Sequence, residues 1–180
     1  MLTGFDEEVY DTMHAAQIAA ARAGARRVEP AHVLFALLAD DTAPAAELLR
    51  RARADVGKAR ALVAGISARS LRPTGDSNTP GADYEPDYDR DVRRVLERAM
   101  ALAQQLKHNA IGDVHLVVAL LGVPRRSSLT RIFGRVRNTV ARDALLASGL
   151  TLEAALAHVE ALAPHEPPDP DSIHWRRRQN

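Results

Sequence analysis

Composition and self-similarity together predict an all-α fold: two pseudo-symmetric four-helix repeats packed as one domain. Ala and Leu abound, aromatic residues make up 4% and strand-favouring residues are sparse, while 46% of the chain is hydrophobic, a mixture that favours helices. Slid over itself by 83 residues, the sequence matches without gaps: Phe5 falls on Tyr88, Asp6 on Asp89, Val9 on Val92, Met13 on Leu96 and Ala16 on Ala99. The same offset of 83 sets Val28 on Ile111, His32 on His115, and Ala36-Leu37-Leu38 on Ala119-Leu120-Leu121, the signature of an internal duplication. One copy has only about 60 residues, marginal for a core of its own, so the copies are expected to share one.

The elements follow in order. Asp6 and Asp89 stand where N-caps belong. Behind them Val9, Met13, Ala16, Ala20 and Val92, Leu96, Ala99, Ala103 recur at i, i+4, i+7 and i+11, one face of a helix. Gly24 ends the first of these helices; its counterpart is Lys107, so the second must end without glycine. A shorter helix opens near Pro30 in one copy and Asp113 in the other, since Pro suits a first helical position and Asp a cap. Its runs "VLFALL" and "LVVALL" are apolar nearly all round, which predicts a central place in the bundle. A third helix over Pro44 to Arg51 and a fourth over Asp55 to Ile66 complete the first copy. In the second, "ARDALLASGLTLEAALAHVEAL" reads the same way at an offset of 96, with Leu49 on Leu145 and Val56 on Leu152, so thirteen residues are inserted between Leu121 and Leu145.

The expected organisation is repeat 1 over 1–66, a linker over 67–86, repeat 2 over 87–163 with an Arg-rich insertion near 124–138, and a tail over 164–180. The linker is rich in Gly, Pro, Ser and Asp and long for a loop. The tail "PHEPPDPDSIHWRRRQN" has Pro and charge but no apolar period, so it is read as disordered or ordered by a partner.

Charge and motif content narrow the function. With 24 basic and 23 acidic residues no global field draws the chain to nucleic acid or membrane. The absence of Cys excludes disulfides and thiol chemistry. The start "MLTGFDEEVY" has no basic or apolar leader signature, and the chain is expected to be cytoplasmic. "VGKA" at 56–59 lacks the glycine and hydroxyl of a phosphate loop, and neither a nucleophile elbow nor a helical metal pair occurs. His32 and His115 have no His or carboxylate at i+4, so each is read as a structural residue whose ring bonds a neighbouring backbone group. His108 and His115 straddle a helix start at a spacing that is not a ligand spacing. Ser127-Ser128 beside Arg125-Arg126 form a basophilic phosphorylation context, a pattern common by chance. The insertion carries Arg125, Arg126, Arg131, Arg135 and Arg137 without an acid, and is read as a solvated or partner-binding loop. A nucleic-acid-associated regulator working through this segment is the alternative, weakened by Phe133 being its one aromatic.

The copies "LKHNAIGDVHLVVALL" and "AGARRVEPAHVLFALL", with "ASGLTLEAALAHVEAL" after the second, resemble the N-terminal domain of the Clp AAA+ unfoldases, over roughly residues 2 to 163. The resemblance implies an eight-helix, two-repeat domain that docks adaptors and substrates ahead of ATPase rings. No phosphate loop occurs in these 180 residues, so the likeness is to a free-standing N domain of the ClpC type, a non-enzymatic binding module without a cofactor. In ClpC-like domains the Glu of each "GTEH" signature recognises phosphoarginine; here those positions are Ala31 and Val114, beside Pro30 and Asp113, which implies that such binding is lost. A second family surface, the target of cyclic-peptide antibiotics in actinobacterial ClpC, lies between the first helices of the repeats. Its positions here are Leu2, Tyr10, His14, Gln17, Tyr88, Arg93 and Glu97, of which Gln17 and Glu97 keep the family residue. The implied partners are a Clp unfoldase, its adaptors or substrates, or cyclic peptides.

Overall fold

The computed structural model describes residues 4–70, 87–122 and 139–162, with side chains to residue 65 in the first stretch. Eight helices lie among them: α1 (Glu7–Arg22), α2 (Pro30–Leu37), α3 (Pro44–Arg51), α4 (Val56–Ser70), α5 (Arg90–Gln105), α6 (Asp113–Leu121), α7 (Val140–Ala147) and α8 (Leu152–Glu160). Four strands of two residues accompany them: β1 (Gly4–Phe5), β2 (Arg27–Val28), β3 (Asp87–Tyr88) and β4 (Ala110–Ile111).

Local chemistry sets the helix ends. Asp6 Oδ1 accepts the Val9 N–H at 3.0 Å, and Asp89 accepts that of Arg90. Thr139 and Thr151 cap α7 and α8 through the N–H groups of Arg142 and Ala154, at 3.3 and 3.2 Å. After α1 the chain turns at Gly24 with φ +64°, and after α5 Lys107 makes the same left-handed turn at φ +58°. Lys107 carries a Cβ there and so bears roughly 1 kcal/mol that Gly24 avoids. The roles are exchanged at the ends of α3 and α7, where Arg53 turns at φ +58° and Gly149 at +94°. Helix α4 continues to Ser70, four residues past Ile66 and into the expected linker. No Gly or Pro stands between Gly65 and Pro73 to stop it.

The strands are an addition to the all-α expectation, and they carry the pseudo-symmetry. Strand β1 pairs in parallel with β4, Gly4 on Ala110 and Phe5 on Ile111; β2 pairs in parallel with β3, Arg27 on Asp87 and Val28 on Tyr88. At the offset of 83 these pairs are copies of each other. Each joins the segment entering the first helix of one repeat to the segment entering the central helix of the other. The Asp6 N–H continues one pair to the Ile111 carbonyl at 3.1 Å, and the Asp89 N–H continues the other to Val28 at 2.9 Å.

The helices cross over in the same sense: α3 packs on α8 and α4 on α7, α2 packs on α7 and α3 on α6, and α1 meets α6 as α5 meets α2. The repeats are therefore interlocked around one core. Every residue of α6 from Asp113 to Leu121 is buried, as its apolar run predicted. Helix α2 is less enclosed, with Phe35 and Ala36 half-buried. Among the described residues no helix is long and apolar enough to cross a membrane.

Candidate functional site

The recurring histidine closes the start of each central helix. His32 donates its backbone N–H to the Glu29 carbonyl at 2.9 Å, while its ring Nδ1 accepts the Glu29 N–H at 3.0 Å. His115 does the same with Gly112, at 3.0 Å in both directions. This reciprocal arrangement satisfies an orphan N–H as Glu does in a capping box. Burial of the ring in the core holds the His32 pKa below its ordinary value. The structural reading of both histidines is thus met in the geometry. The spacing of His108 and His115 conceals a contact, however, with His108 Nδ1 2.9 Å from His115 Nε2. An Nδ1 that accepts carries no proton, so neutral His115 is protonated at Nε2 and donates from there to His108. Among the described residues no group of three or more His, Asp or Glu side chains is placed to hold a metal ion.

A cavity of about 460 Å³ opens beside the start of α6, with Asp6, Glu8, His108, Asp113, Val114 and His115 in its wall. It lies at one of the two places where the resemblance locates a recognition carboxylate. Ala31 and Val114, the residues that stand there, are apolar and each only 6% exposed. The carboxylate present is one position earlier. Asp113 is 4% exposed, and its Oδ2 accepts from Thr12 Oγ1 of α1 at 3.1 Å, a partner 101 residues away. Burial pushes the Asp113 pKa up to about 7; the Thr12 hydrogen bond opposes this, and the negative charges of Asp6, Glu8 and Asp11 add to it. The sequence reads Asp113 as a cap, but Gly112 is the N-cap and Asp113 the first residue of α6, its side chain turned to Thr12 by a contact that nothing local marks.

The positions of the second surface fall on both repeats. Tyr10, His14 and Gln17 lie at i, i+4 and i+7 of α1, and Arg93 and Glu97 at i and i+4 of α5. At the offset of 83, Tyr10 is the counterpart of Arg93, His14 of Glu97, and Phe5 of Tyr88. Tyr10 is 63% exposed and meets Phe5 edge-on, with ring centroids 6.2 Å apart. His14, Arg93 and Glu97 are exposed, while Gln17 and Tyr88 are half-buried. Tyr88 packs on the core and takes its register from Val28 of the first repeat. Arg93 Nη2 reaches both carboxylate oxygens of Asp87 at 3.2 and 3.1 Å, so Arg93 pairs with a carboxylate where its counterpart Tyr10 meets the Phe5 ring. Leu2, Ser127, Ser128, Arg125, Arg126, Arg131, Arg135 and Arg137 lie outside the described residues.

The described residues form an interlocked pair of helical repeats, each opening a central helix with a reciprocal histidine cap. The chain belongs to the Clp repeat (R) N-terminal domain family, whose model matches residues 4–134. An uncharacterized Mycobacterium tuberculosis protein is 31% identical over 121 residues, 65% of this chain and 42% of that protein. A Mycobacterium bovis protein matches equally, so the chain spans about two fifths of the length of these relatives, 42% in each case. Among solved structures, the Hsp104 N-terminal domain of Candida albicans superposes with a TM-score of 0.62 at 18% identity, covering 86% of this chain and 87% of that one. The N-terminal domain of ClpD from Arabidopsis thaliana gives 0.55 at 21% identity, covering 87% and 94%. These likenesses establish the fold. Domains of the family bind substrates and adaptors of Clp unfoldases.

Proposed function

We propose that this chain is a non-enzymatic peptide- and protein-binding module of the Clp N type. It acts as an adaptor, or as a decoy that sequesters Clp-directed ligands such as cyclic peptides. The observation that supports this most is the exposure of Tyr10 and His14 on α1 and of Arg93 and Glu97 on α5. Positions equivalent under the duplication are exposed on both first helices, and the crossed β2–β3 pair ties Tyr88 to the first repeat. Tyr10 and Tyr88 supply aromatic area with a polar tip, and His14, Gln17, Arg93 and Glu97 supply hydrogen-bonding groups, the mixture a peptide groove needs. A soluble copy of such a groove lowers free ligand by mass action.

The reading is tested by titrating a labelled cyclic peptide directed at Clp N domains, and separately a Clp adaptor, into the protein. We expect binding that weakens about tenfold or more in Tyr10→Ala and Tyr88→Ala, with helicity by circular dichroism unchanged. Tyr10→Ala is the cleaner variant because Tyr10 is more exposed. No binding of either ligand by the native sequence overturns the proposal. Phosphoarginine is the control: losing a charge-assisted hydrogen bond of roughly 1.5 to 3 kcal/mol weakens binding about tenfold or more per site. Micromolar affinity for it would show that Ala31 and Val114 have not abolished that recognition.

A further inference from the structure

A buried carboxylate in the seam between the repeats takes no part in the groove. Asp113 opens α6, and its Oδ2 meets Thr12 of α1 at 3.1 Å. Its Oδ1 is buried and has no hydrogen-bond partner. Acids face it from α1 and its cap: Asp6, Glu8 and Asp11. His108 precedes β4, and His115 follows on α6 itself. Across the cavity stand Glu47 and Arg51 of α3 and His158 of α8.

The two protonation states fit this setting unequally. A neutral carboxyl donates its Oδ2 proton to Thr12 Oγ1 and leaves a carbonyl oxygen at Oδ1, the milder kind of orphan. A carboxylate accepts from Thr12 instead, but then a full charge is buried with one oxygen unsatisfied and three acids nearby. The start of α6 favours the anion, by less than burial disfavours it, so the carboxyl titrates well above its ordinary value.

We propose that the Asp113 site is a proton-dependent latch between the repeats, tight while the carboxyl is neutral and loosened when it ionises, because the bond from Thr12, which favours the anion, is outweighed by a buried charge with one unsatisfied oxygen beside three acids. The sign follows from the folded pKa lying above the unfolded one. Between the ordinary value of 3.8 and about 7 the folded chain holds a proton that the unfolded chain has lost. The latch therefore contributes fully below about pH 4, and its contribution is lost as the pH rises to about 7.

The test compares the native sequence with Asp113→Asn, which keeps the Thr12 hydrogen bond without the charge. Unfolding constants are measured in denaturant from about pH 4.5 to pH 8.5. We expect the ratio of native to variant constants to rise about tenfold per pH unit up to about pH 7 and then level off. Hydrogen-exchange protection in α1 and at the start of α6 should fall over the same range in the native protein and persist in Asp113→Asn. Should the variant fail to fold, carbon NMR of the native Asp113 carboxyl decides, with a midpoint near 7 expected. A ratio independent of pH, level protection in the native protein, or a midpoint near 4 overturns the latch. None of these readouts depends on the groove or its ligand.

Discussion

The starts of α2 and α6 share one backbone geometry and one device and differ in nearly everything around it. Each places a histidine at the third helical position, with Nδ1 3.0 Å from the N–H of the cap residue. In α2 the preceding residues are Glu29, Pro30 and Ala31: an exposed cap, a proline with no N–H to satisfy, and a small apolar side chain. In α6 they are Gly112, Asp113 and Val114. A Cβ on Gly112 would lie 2.8 Å from Asp6 Oδ2, so this helix start presses against the cap of the other repeat. His115 has a further partner in His108, and Asp113 one in Thr12. The capping histidine thus serves the architecture in both copies, and the asymmetry loads the seam at α6 with buried polar groups.

The largest separation between the two starts should come from removing the histidines. His115→Ala takes away the cap bond, the His108 partner and buried volume together, and is expected to lower stability by about 3 kcal/mol, against about 2 kcal/mol for His32→Ala. Urea unfolding of the two variants measures the difference; equal losses would mean that the His108 contact adds nothing. Next comes the close approach at the cap. Gly112→Ala should cost about 1 to 3 kcal/mol through overpacking against Asp6, whereas Glu29→Ala should stay within about 0.5 kcal/mol. Thermal melts would show it, and adding Asp6→Ala should recover part of the Gly112→Ala loss if the clash is the cause.

The smallest effect is the acid response of α2. Burial depresses the folded pKa of His32, so the unfolded chain takes up that proton first as the pH falls. Its contribution is whole above the ordinary value of 6.5 and declines as the pH drops through the lower folded value. Melts of the native sequence and His32→Gln between about pH 7 and pH 5 should converge towards acid. A constant gap between them would remove His32 as the titrating group. Asp113 responds in the opposite direction, so the two helix starts have opposite pH dependence despite their common origin.

Much of this was legible in the sequence because helix ends are local chemistry. Asp6 and Asp89 as caps, α3 over Pro44–Arg51, and a glycine-free turn at Lys107 rest on residues within a few positions of the feature they control. The offsets of 83 and 96 place the equivalent elements of the second repeat as the structure has them. Features that join distant residues were not legible. Tyr88 reads equally well as core or groove until Val28 is known to lie beside it. Asp113 reads as a cap, whereas Gly112 holds that position and Asp113 spends its side chain on Thr12. His108 and His115, seven residues apart, touch because the turn at Lys107 and strand β4 lead the chain back over the helix start.

By itself the sequence determined a duplicated helical unit, the ends of its helices and the apolar character of the central pair, since propensity, capping and period act over a few residues. Only the tertiary structure decided how the copies interlock. Two-residue strands have no periodicity of their own, and their partners are set by packing across the whole chain. The same packing raises the pKa of one carboxyl of the seam, because the cost of burying a charge depends on what surrounds it and not on its neighbours in sequence.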